Sequence, residues 1–422
     1  MLFLYIMGIY LFIKGLREYR LLVWSTVCLA LTPWAYSTAK LFLPMTIIGI
    51  LSIWNHSLLK IPKKPLLIAV VVFALLAGTF TLNTVFGGGA ERFGGISIFN
   101  SSILENKMGP ARVRDEQVGQ QWQSRIFHNK FTSYFSNFSN NYLQAYSSEF
   151  LFINGDPTPR HSPSQTGQLF GFQLFFLFIG VMLFFDSKID LKVRLFLLFW
   201  LLIAPIPSSL TSNGGNHAGR LILELPILTI LTGYGIYAIF RQINIALGQK
   251  LYIALIGLLL ILSVINYQHT YWVHYPWDSE RWWHAGFQDA IQSTVAEEKN
   301  YDKVIISNAD EPALIFFLAW SQFPPARFQA SYPLKEVDGG KLGKLQQLDN
   351  YYFTEVGSSV GFYSLAEALP DNALYLATQK EVNVDLIHDP GRLPDGLRLV
   401  KSFAYPSGAP AFYLLTKRSP KM

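Results

Sequence analysis

The stretch PLLIAVVVFALLAGTFTLNTV (residues 65–85) contains no charged side chain. A helix needs about 20 consecutive apolar residues to cross the hydrocarbon core of a bilayer, and this stretch has that length. Seven further apolar blocks occur at 2–14, 21–37, 41–55, 169–185, 195–210, 220–240 and 251–267. Several of these are shorter, and their helices should extend into the polar residues beside them. The pattern predicts a polytopic α-helical membrane protein.

Composition agrees with that prediction. Apolar residues make up 51% of the chain, charged residues 15%, and the mean hydropathy is +0.26. A soluble protein of this size would need more charge on its surface. The net charge of +6 does not indicate nucleic-acid binding, because the basic residues stand in short runs between apolar blocks. Cys28 is the single cysteine, so neither an intrachain disulfide nor a cysteine-based zinc site is available.

The basic residues also predict the orientation of the spans. The loops after the first, third, fifth and seventh spans contain eleven Lys and Arg residues, whereas the intervening short loops contain one, Lys40. Positive loops face the cytoplasm, so 86–168 and everything after about 268 should lie outside it. The predicted organisation is four spans in 1–85, an extracytoplasmic loop in 86–168, four further spans in 169–267 and an extracytoplasmic domain in 268–422.

The long loop and the C-terminal domain have different patterns. The stretch FTSYFSNFSNNYLQAYSSEFLF (131–152) fits an interfacial helix, and its tyrosines and phenylalanines could also stack on a sugar. Residues 268–422 read as a small α/β domain that serves as a cap or recognition module. Helices are predicted at 279–298, with Ser279 as N-cap, and at 311–323, and strands at 301–307, 372–378, 397–406 and 409–417. Trp272, Trp277, Trp282 and Trp283 fit either an interfacial belt or packing in this domain.

Arg220 is the foremost candidate for chemistry, since it opens the seventh predicted span. An ionisable group at a membrane is a functional candidate by default, and a guanidinium can bind the phosphate of a lipid headgroup with two hydrogen bonds. Two alternatives remain open: a pair with Glu224 at i+4, or a simple interfacial anchor. His217, three residues earlier in a Gly-rich loop, could donate to the same phosphate or be a solvated loop residue.

A second candidate group is Asp156, Arg160 and His161 in GDPTPRHS. An acid, a cation and an imidazole lie within six residues on a proline-stiffened backbone. The carboxylate could act as a base, or it could pair with Arg160 in a rigid turn. His128 stands among aromatic residues and fits packing better than chemistry.

The order of the segments resembles a known family. GIYLFIKGL (8–16) and TPWAYSTAKLFLPMTIIGIL (32–51) are similar to the middle spans of bacterial relatives of the protein O-mannosyltransferases, which are GT-C-type membrane glycosyltransferases. The stretch FLFINGDPTPRHSPSQTGQLFGFQLFFLFIG (150–180) resembles their large outer loop and next span. NHAGRLILELPIL (216–228) resembles their HALR-type loop, and YDKVIISNADEPALIFFLAW (301–320) their outer C-terminal domain.

This resemblance implies an activity and a set of site residues. It implies transfer of a sugar from a polyprenyl-phosphate donor to an acceptor on the outer face of a bacterial plasma membrane. Arg220 and His217 match the HALR-type positions, where they would bind the lipid phosphate, and Gly219 replaces a larger apolar residue. Asp156, Arg160 and His161 match positions that line the outer face.

The chain departs from the family pattern at its N-terminal end. The family's catalytic acid lies in an outer loop after an initial span, and no such loop precedes Gly8. We therefore expect a missing N-terminal segment or a partner subunit that supplies the acid, and no catalytic residue is assigned. The alternative is a non-catalytic scaffold or lipid-binding subunit. A transporter is disfavoured because no inverted repeat is visible. No metal-ligand spacing stands out, which leaves a divalent metal possible and unassigned.

Overall fold

A computed structural model describes residues 1–87, 91–119, 121–163, 165–184, 189–331 and 346–418. The chain divides into two compact units, Met1–Trp272 and Val273–Met422. The first is helical and the second is built around a sheet. The helices of the first unit are α1 (Leu2–Gly15), α2 (Leu21–Ala35), α3 (Ala39–Leu58), α4 (Lys63–Phe86), α5 (Glu91–Ile96), α6 (Ser101–Gln117), α7 (Gln121–Phe127), α8 (Lys130–Ala145), α9 (Gln173–Phe184), α10 (Leu191–Ile203), α11 (Ile206–Ser209), α12 (Ala218–Leu221), α13 (Leu225–Gln242) and α14 (Ala246–His269).

Each of the eight predicted apolar blocks contains helix, although position 185 lies outside the described residues. Within the described residues, four helical stretches are long and apolar enough to cross a membrane, namely Ala39–Leu58, Lys63–Phe86, Leu191–Ser209 and Ala246–Asp278. Helices α1, α2 and α9 are apolar but shorter. The chain is thus a mainly helical protein with membrane-length apolar helices and a small sheet domain.

The seventh predicted block is not one continuous helix. Helix α12 ends at Leu221, and α13 begins at Leu225 with Pro226 in its first turn. Proline is favoured there because its missing N–H would have no partner inside the helix. This break separates Arg220 from Glu224, so that the i+4 spacing no longer places the two side chains on one helical face.

An aromatic core joins three helices of the first unit. Tyr5 of α1 lies 5.1 Å from the ring of Phe42 in α3 and 4.8 Å from that of Trp200 in α10, measured between ring centroids. Trp54 contacts Phe12 in the same way, at 5.4 Å. All five side chains are buried. Edge-on aromatic contacts of this kind add to the stabilisation that burial itself gives.

Helices α9 and α13 pack so closely that their backbones touch. Gly180 and Gly235 face each other at the contact. A Cβ on Gly180 would overlap the carbonyl oxygen of Leu231, and one on Gly235 would overlap that of Phe176. Small residues allow this close approach, which is a common way for helices to associate in membranes.

The segment predicted as a long outer loop, 86–168, is joined to the rest of the first unit by hydrogen bonds. Ser97 pairs with Thr211 as a β-bridge. The Asn141 amide, buried on α8, donates to the carbonyl oxygens of Ser209 at 3.1 Å and Thr211 at 2.8 Å. The predicted helix over the aromatic stretch is confirmed as α8, which begins with a capping box between Asn129 and Thr132.

The second unit contains a six-stranded sheet in the order β2-β3-β1-β4-β6-β5. The central pairs β3-β1 and β1-β4 are parallel, and the outer pairs are antiparallel. The four predicted strands are confirmed as β1, β4, β5 and β6, whereas β2 and β3 were too short for the pattern to reveal. The strands are β1 (Lys303–Ile306), β2 (Gln347–Leu348), β3 (Tyr351–Phe353), β4 (Ala373–Thr378), β5 (Leu397–Ala404) and β6 (Pro410–Lys417).

The predicted start of the first helix in this unit is wrong. The helix begins at Phe287 after Gly286, whose φ is 86°, and Ser279 is not its N-cap. The buried side chain of Glu280 instead accepts hydrogen bonds from the backbone and hydroxyl of Ser407, which holds this segment away from helical geometry. The remaining helices are α15 (Tyr275–Asp278), α16 (Phe287–Glu297), α17 (Leu314–Trp320), α18 (Pro325–Ser331), α19 (Val356–Val360), α20 (Leu365–Ala368) and α21 (Gln379–Val382).

The four tryptophans that follow α14 are exposed. Trp272 and Trp277 are more than half exposed, and so is Trp283, while Trp282 is slightly less so. Packing inside the second unit therefore does not account for them, and the interfacial belt remains as the prediction.

Candidate functional site

The loop that carries Asp156 is held by a glycine. It follows a short π-helical turn, Glu149–Ile153, and Gly155 adopts a φ of 68°. A Cβ on Gly155 would also overlap the backbone oxygen of Thr166. Glycine alone combines this φ with so close an approach. The next residue turns inward, and Asp156 Oδ1 accepts from the Thr158 N–H at 2.8 Å, forming an Asx turn.

Asp156 joins two segments that are far apart in the chain. Its Oδ2 accepts from the Ala218 N–H at 2.8 Å and lies 2.9 Å from His161 Nδ1. The side chain is 2% exposed. These hydrogen bonds offset the cost of burying a carboxylate. Asp156 therefore pairs with histidine, and the ion pairs of the described residues do not include the predicted Asp156–Arg160 pair.

Two histidines meet at this carboxylate. The rings of His161 and His217 stack with centroids 4.4 Å apart and planes inclined by 28°. His217 Nδ1 lies 3.8 Å from Asp156 Oδ2, too far for a hydrogen bond, and it is buried without a partner among the described residues. One ligand-type atom from each of the three residues lies within 4.8 Å of the others.

His217 is held neutral. Burial, followed by the positive charge of Arg220 and the neighbouring His161, lowers the pKa of His217 to about 4 against the opposing effect of Asp156. At neutral pH the ring is therefore an imidazole with a free lone pair. A neutral imidazole is suited to accept a proton or to ligate a metal.

Arg220 lies one helical turn beyond His217. Its Nη1 donates to Thr211 Oγ1 at 2.6 Å, and Thr211 is itself buried and held by the β-bridge to Ser97. The guanidinium is half-buried and positioned, since one of its five donors is fixed by the hydroxyl. Of the predicted site residues, Asp156, His161, His217 and Arg220 come together, whereas Arg160 is half-buried and is not a partner of Asp156.

Two cavities flank the cluster. Asp156 lines one of about 320 Å³, whose wall is rich in amide and carboxylate groups. His161 lines the other, of about 300 Å³, which reaches Tyr267 near the end of α14. The first is lined also by Gln144, Ser147, Glu149, Phe150, Asn154, Gly155, Pro157, Pro159, Gln165 and Asn216. Two of the three cluster residues, Asp156 and His161, therefore each border a cavity.

Glu224 does not pair with Arg220, contrary to one of the predicted alternatives. It is 1% exposed, and neither carboxylate oxygen has a hydrogen-bond partner among the described residues. The break between α12 and α13 accounts for this, because the two residues no longer share a continuous helix. The i+4 rule applies only along an uninterrupted helix.

Sequence reasoning missed two residues at this site, Tyr36 and Thr211. The Tyr36 hydroxyl lies 3.3 Å from the position that a Cβ on Gly219 would occupy. A larger residue at 219 would therefore press on the tyrosine. Gly219 therefore leaves room for the Tyr36 hydroxyl, which comes from the turn between α2 and α3. No local sequence signal reveals this proximity.

Two further predicted features serve structure. His128 lies outside the cluster, with Nε2 3.1 Å from Asp115 Oδ2. In the aromatic stretch, the Tyr142 hydroxyl donates to the Leu202 carbonyl at 2.9 Å, and the Tyr146 hydroxyl donates to that of Leu201. These two tyrosines fix α8 against α10, and the interfacial and sugar-stacking roles of the stretch stay predictions.

No protein-family model matches this chain, and neither the curated proteins nor the solved structures include one that is significantly similar to it.

Removal of the Asp156 carboxylate should loosen the site. In Asp156→Ala, the half-buried N–H groups of Thr158 and Ala218 lose their acceptor, and an unsatisfied group that is buried costs about 1–3 kcal/mol. We expect the free energy of unfolding of the full chain to fall by about 2–4 kcal/mol. Unfolding in detergent, followed by tryptophan fluorescence, measures this loss. Asp115→Ala, which breaks a more exposed Asp–His pair, is the matched control. Equal losses in the two variants would contradict the bridging role of Asp156.

Proposed function

We propose that this chain is a membrane-embedded glycosyltransferase that uses a polyprenyl-phosphate sugar donor. The observation that carries the proposal is the convergence of Arg220 with the Asp156–His161–His217 cluster beside two cavities. The resemblance of 150–180 and 216–228 to GT-C-type enzymes supports it independently. The cluster occupies the positions that the resemblance assigns to the outer face.

The proposal includes a polytopic arrangement in a plasma membrane. The four membrane-length stretches support it, and so does the excess of basic residues in alternate loops. In this arrangement the cluster and the second unit lie outside the cytoplasm. The cluster would then meet the phosphate of a lipid whose chain remains in the bilayer.

The cluster suits the leaving-group half of the reaction. The acceptor oxygen forms a bond to the sugar's anomeric carbon while the bond from that carbon to the phosphate oxygen breaks, and the phosphate keeps the electron pair. A fixed guanidinium beside the phosphate stabilises the charge that develops there. The acceptor's proton goes to a base, which the resemblance assigns to an outer carboxylate.

A transfer assay tests the proposal. Full-length protein in proteoliposomes is incubated with polyprenyl-phosphate-linked radiolabelled hexoses and with membranes from cells that lack this gene, which supply acceptor and any partner. We expect label to move from the lipid-extractable fraction to the acceptor fraction. If label stays in the lipid with every hexose tested, the proposed function is wrong.

A non-catalytic lipid-binding subunit is the second candidate. The observation that favours it is that both oxygens of Asp156 are already occupied by hydrogen bonds, which makes this carboxylate a poor base. Such a subunit would bind polyprenyl phosphate in the proteoliposomes and release no labelled sugar.

A further inference from the structure

We propose that Asp156, His161 and His217 form a binding site for a divalent transition-metal ion of the Zn²⁺ class. Two observations point to a ligand here. The three side chains each offer a ligand-type atom within 4.8 Å of the others. In addition, the buried His217 Nδ1 is directed toward the carboxylate and has no hydrogen-bond partner within the described residues.

The distances fit an ion after small side-chain rotations. Zinc binds imidazole nitrogen and carboxylate oxygen at about 2.0–2.2 Å, which places tetrahedral ligand atoms roughly 3.4 Å apart. The two distances from Asp156 Oδ2, to His161 Nδ1 at 2.9 Å and to His217 Nδ1 at 3.8 Å, lie on either side of that value. Rotation of the two rings would equalise them.

The surroundings are those of a supported metal ligand. The Asp156 carboxylate is oriented by the backbone N–H groups of Thr158 and Ala218, and such outer hydrogen bonds commonly fix metal-ligating carboxylates. Two imidazoles and one carboxylate favour Zn²⁺, Mn²⁺ or Fe²⁺ over Mg²⁺ and Ca²⁺, which prefer oxygen ligands throughout.

Two other His–Asp pairs among the described residues offer a comparison. His128 with Asp115, and His388 with Asp385 at 2.7 Å, each consist of one histidine and one carboxylate. A structural pair needs no third member. The second histidine stacked beside Asp156 is therefore the feature that a simple hydrogen-bonded pair leaves unexplained and that a metal site accounts for.

The role of the ion rests on the proposed function. Three protein ligands leave at least one coordination position open, as in catalytic zinc sites. Asp156 lines one cavity and His161 the other, so an anionic oxygen can approach from either. A phosphate bound between the ion and Arg220 would have its charge neutralised from two sides.

Metal binding is tested on the purified full-length chain in detergent. The protein is stripped with a chelator, reloaded with ZnCl₂, dialysed and analysed for metal content, and Co²⁺ is substituted to give a visible absorption spectrum. We expect about one ion per chain. His161→Ala should weaken Zn²⁺ binding by more than about 100-fold, because even changes outside the ligand set cost 10–100-fold.

His217→Phe separates the loss of a metal ligand from misfolding, because a phenyl ring can keep the stack on His161 but offers no nitrogen to bind the ion. His128→Ala is the matched control and should bind Zn²⁺ like the wild type. The proposal is overturned if the wild type retains no stoichiometric ion, or if His217→Phe binds as tightly as the wild type. Sugar transfer that persists after complete removal of the ion would refute the ion's role in the reaction and leave the proposed function intact. Metal binding without any sugar transfer would support the metal site and contradict the proposed function.

Discussion

Arg220→Ala should lower sugar transfer at least about 100-fold, which is the effect expected when one preorganised donor to a developing anion is removed. The guanidinium is fixed by its 2.6 Å hydrogen bond to Thr211 and lies beside the His217 imidazole. Arg220→Lys should recover part of the rate, because an ammonium supplies the charge without the two-pronged geometry. Release of labelled sugar from the polyprenyl-phosphate donor is the measurement.

The control for this variant is Arg241→Ala, which removes an exposed cation from the last turn of α13. It should transfer sugar at the wild-type rate. Thermal unfolding of Arg220→Ala should stay close to that of the wild type, so that a lost activity cannot be ascribed to a lost fold. Wild-type turnover in Arg220→Ala would show that the phosphate is neutralised elsewhere.

Gly180→Ala should destabilise the helical unit by about 2–3 kcal/mol. The added methyl group would overlap the Leu231 carbonyl oxygen, which is backbone and cannot rotate aside. Helices α9 and α13 would have to separate, and overpacking of this kind typically costs 1–3 kcal/mol. Unfolding in detergent, followed by tryptophan fluorescence, measures the loss. Because α13 follows directly on the Arg220 segment, transfer activity should fall as well.

Gly233→Ala, in the partner helix α13, provides a close control. A Cβ on Gly233 would contact nothing within 4 Å, and alanine favours a helix over glycine by about 1 kcal/mol. This variant should therefore be as stable as the wild type or slightly more so. Equal destabilisation of Gly180→Ala and Gly233→Ala would contradict the assignment of the loss to the close contact between α9 and α13.

The apolar blocks could be predicted because a bilayer leaves a length and composition signal in every helix that crosses it. The position of the break before α13 was harder to predict. Pro226 fits the first turn of a helix, but the same residue inside an apolar run also fits a kink. The choice between the two decides whether Glu224 can reach Arg220. This local ambiguity is why the Arg220–Glu224 pair stood among the predicted alternatives.

The candidate site was partly visible in the sequence. Asp156 and His161 are close in the chain, and the prolines between them predicted a stiff turn. The approach of His217 depends on the Asp156–Ala218 hydrogen bond, which forms only when the outer segment folds back. Spacing alone could not show that contact, and for the same reason no metal-ligand pattern was evident. Thr211 and Tyr36 were missed because neither carries a charge.

Helix α14 has no buried residue, and a hydrogen bond from the Tyr252 hydroxyl to the Ile236 carbonyl, 3.1 Å long, connects it to α13. Its 24 residues give a rod of about 36 Å at 1.5 Å per residue, longer than the ~30 Å hydrocarbon layer. The apolar part of the helix, 251–267, spans only about 26 Å at that rise, so the polar residues at its two ends set how it meets the interfaces, and neighbouring protein does little to fix its angle. The inclination of α14 should therefore follow lipid chain length, and thin and thick membranes would orient the same helix differently.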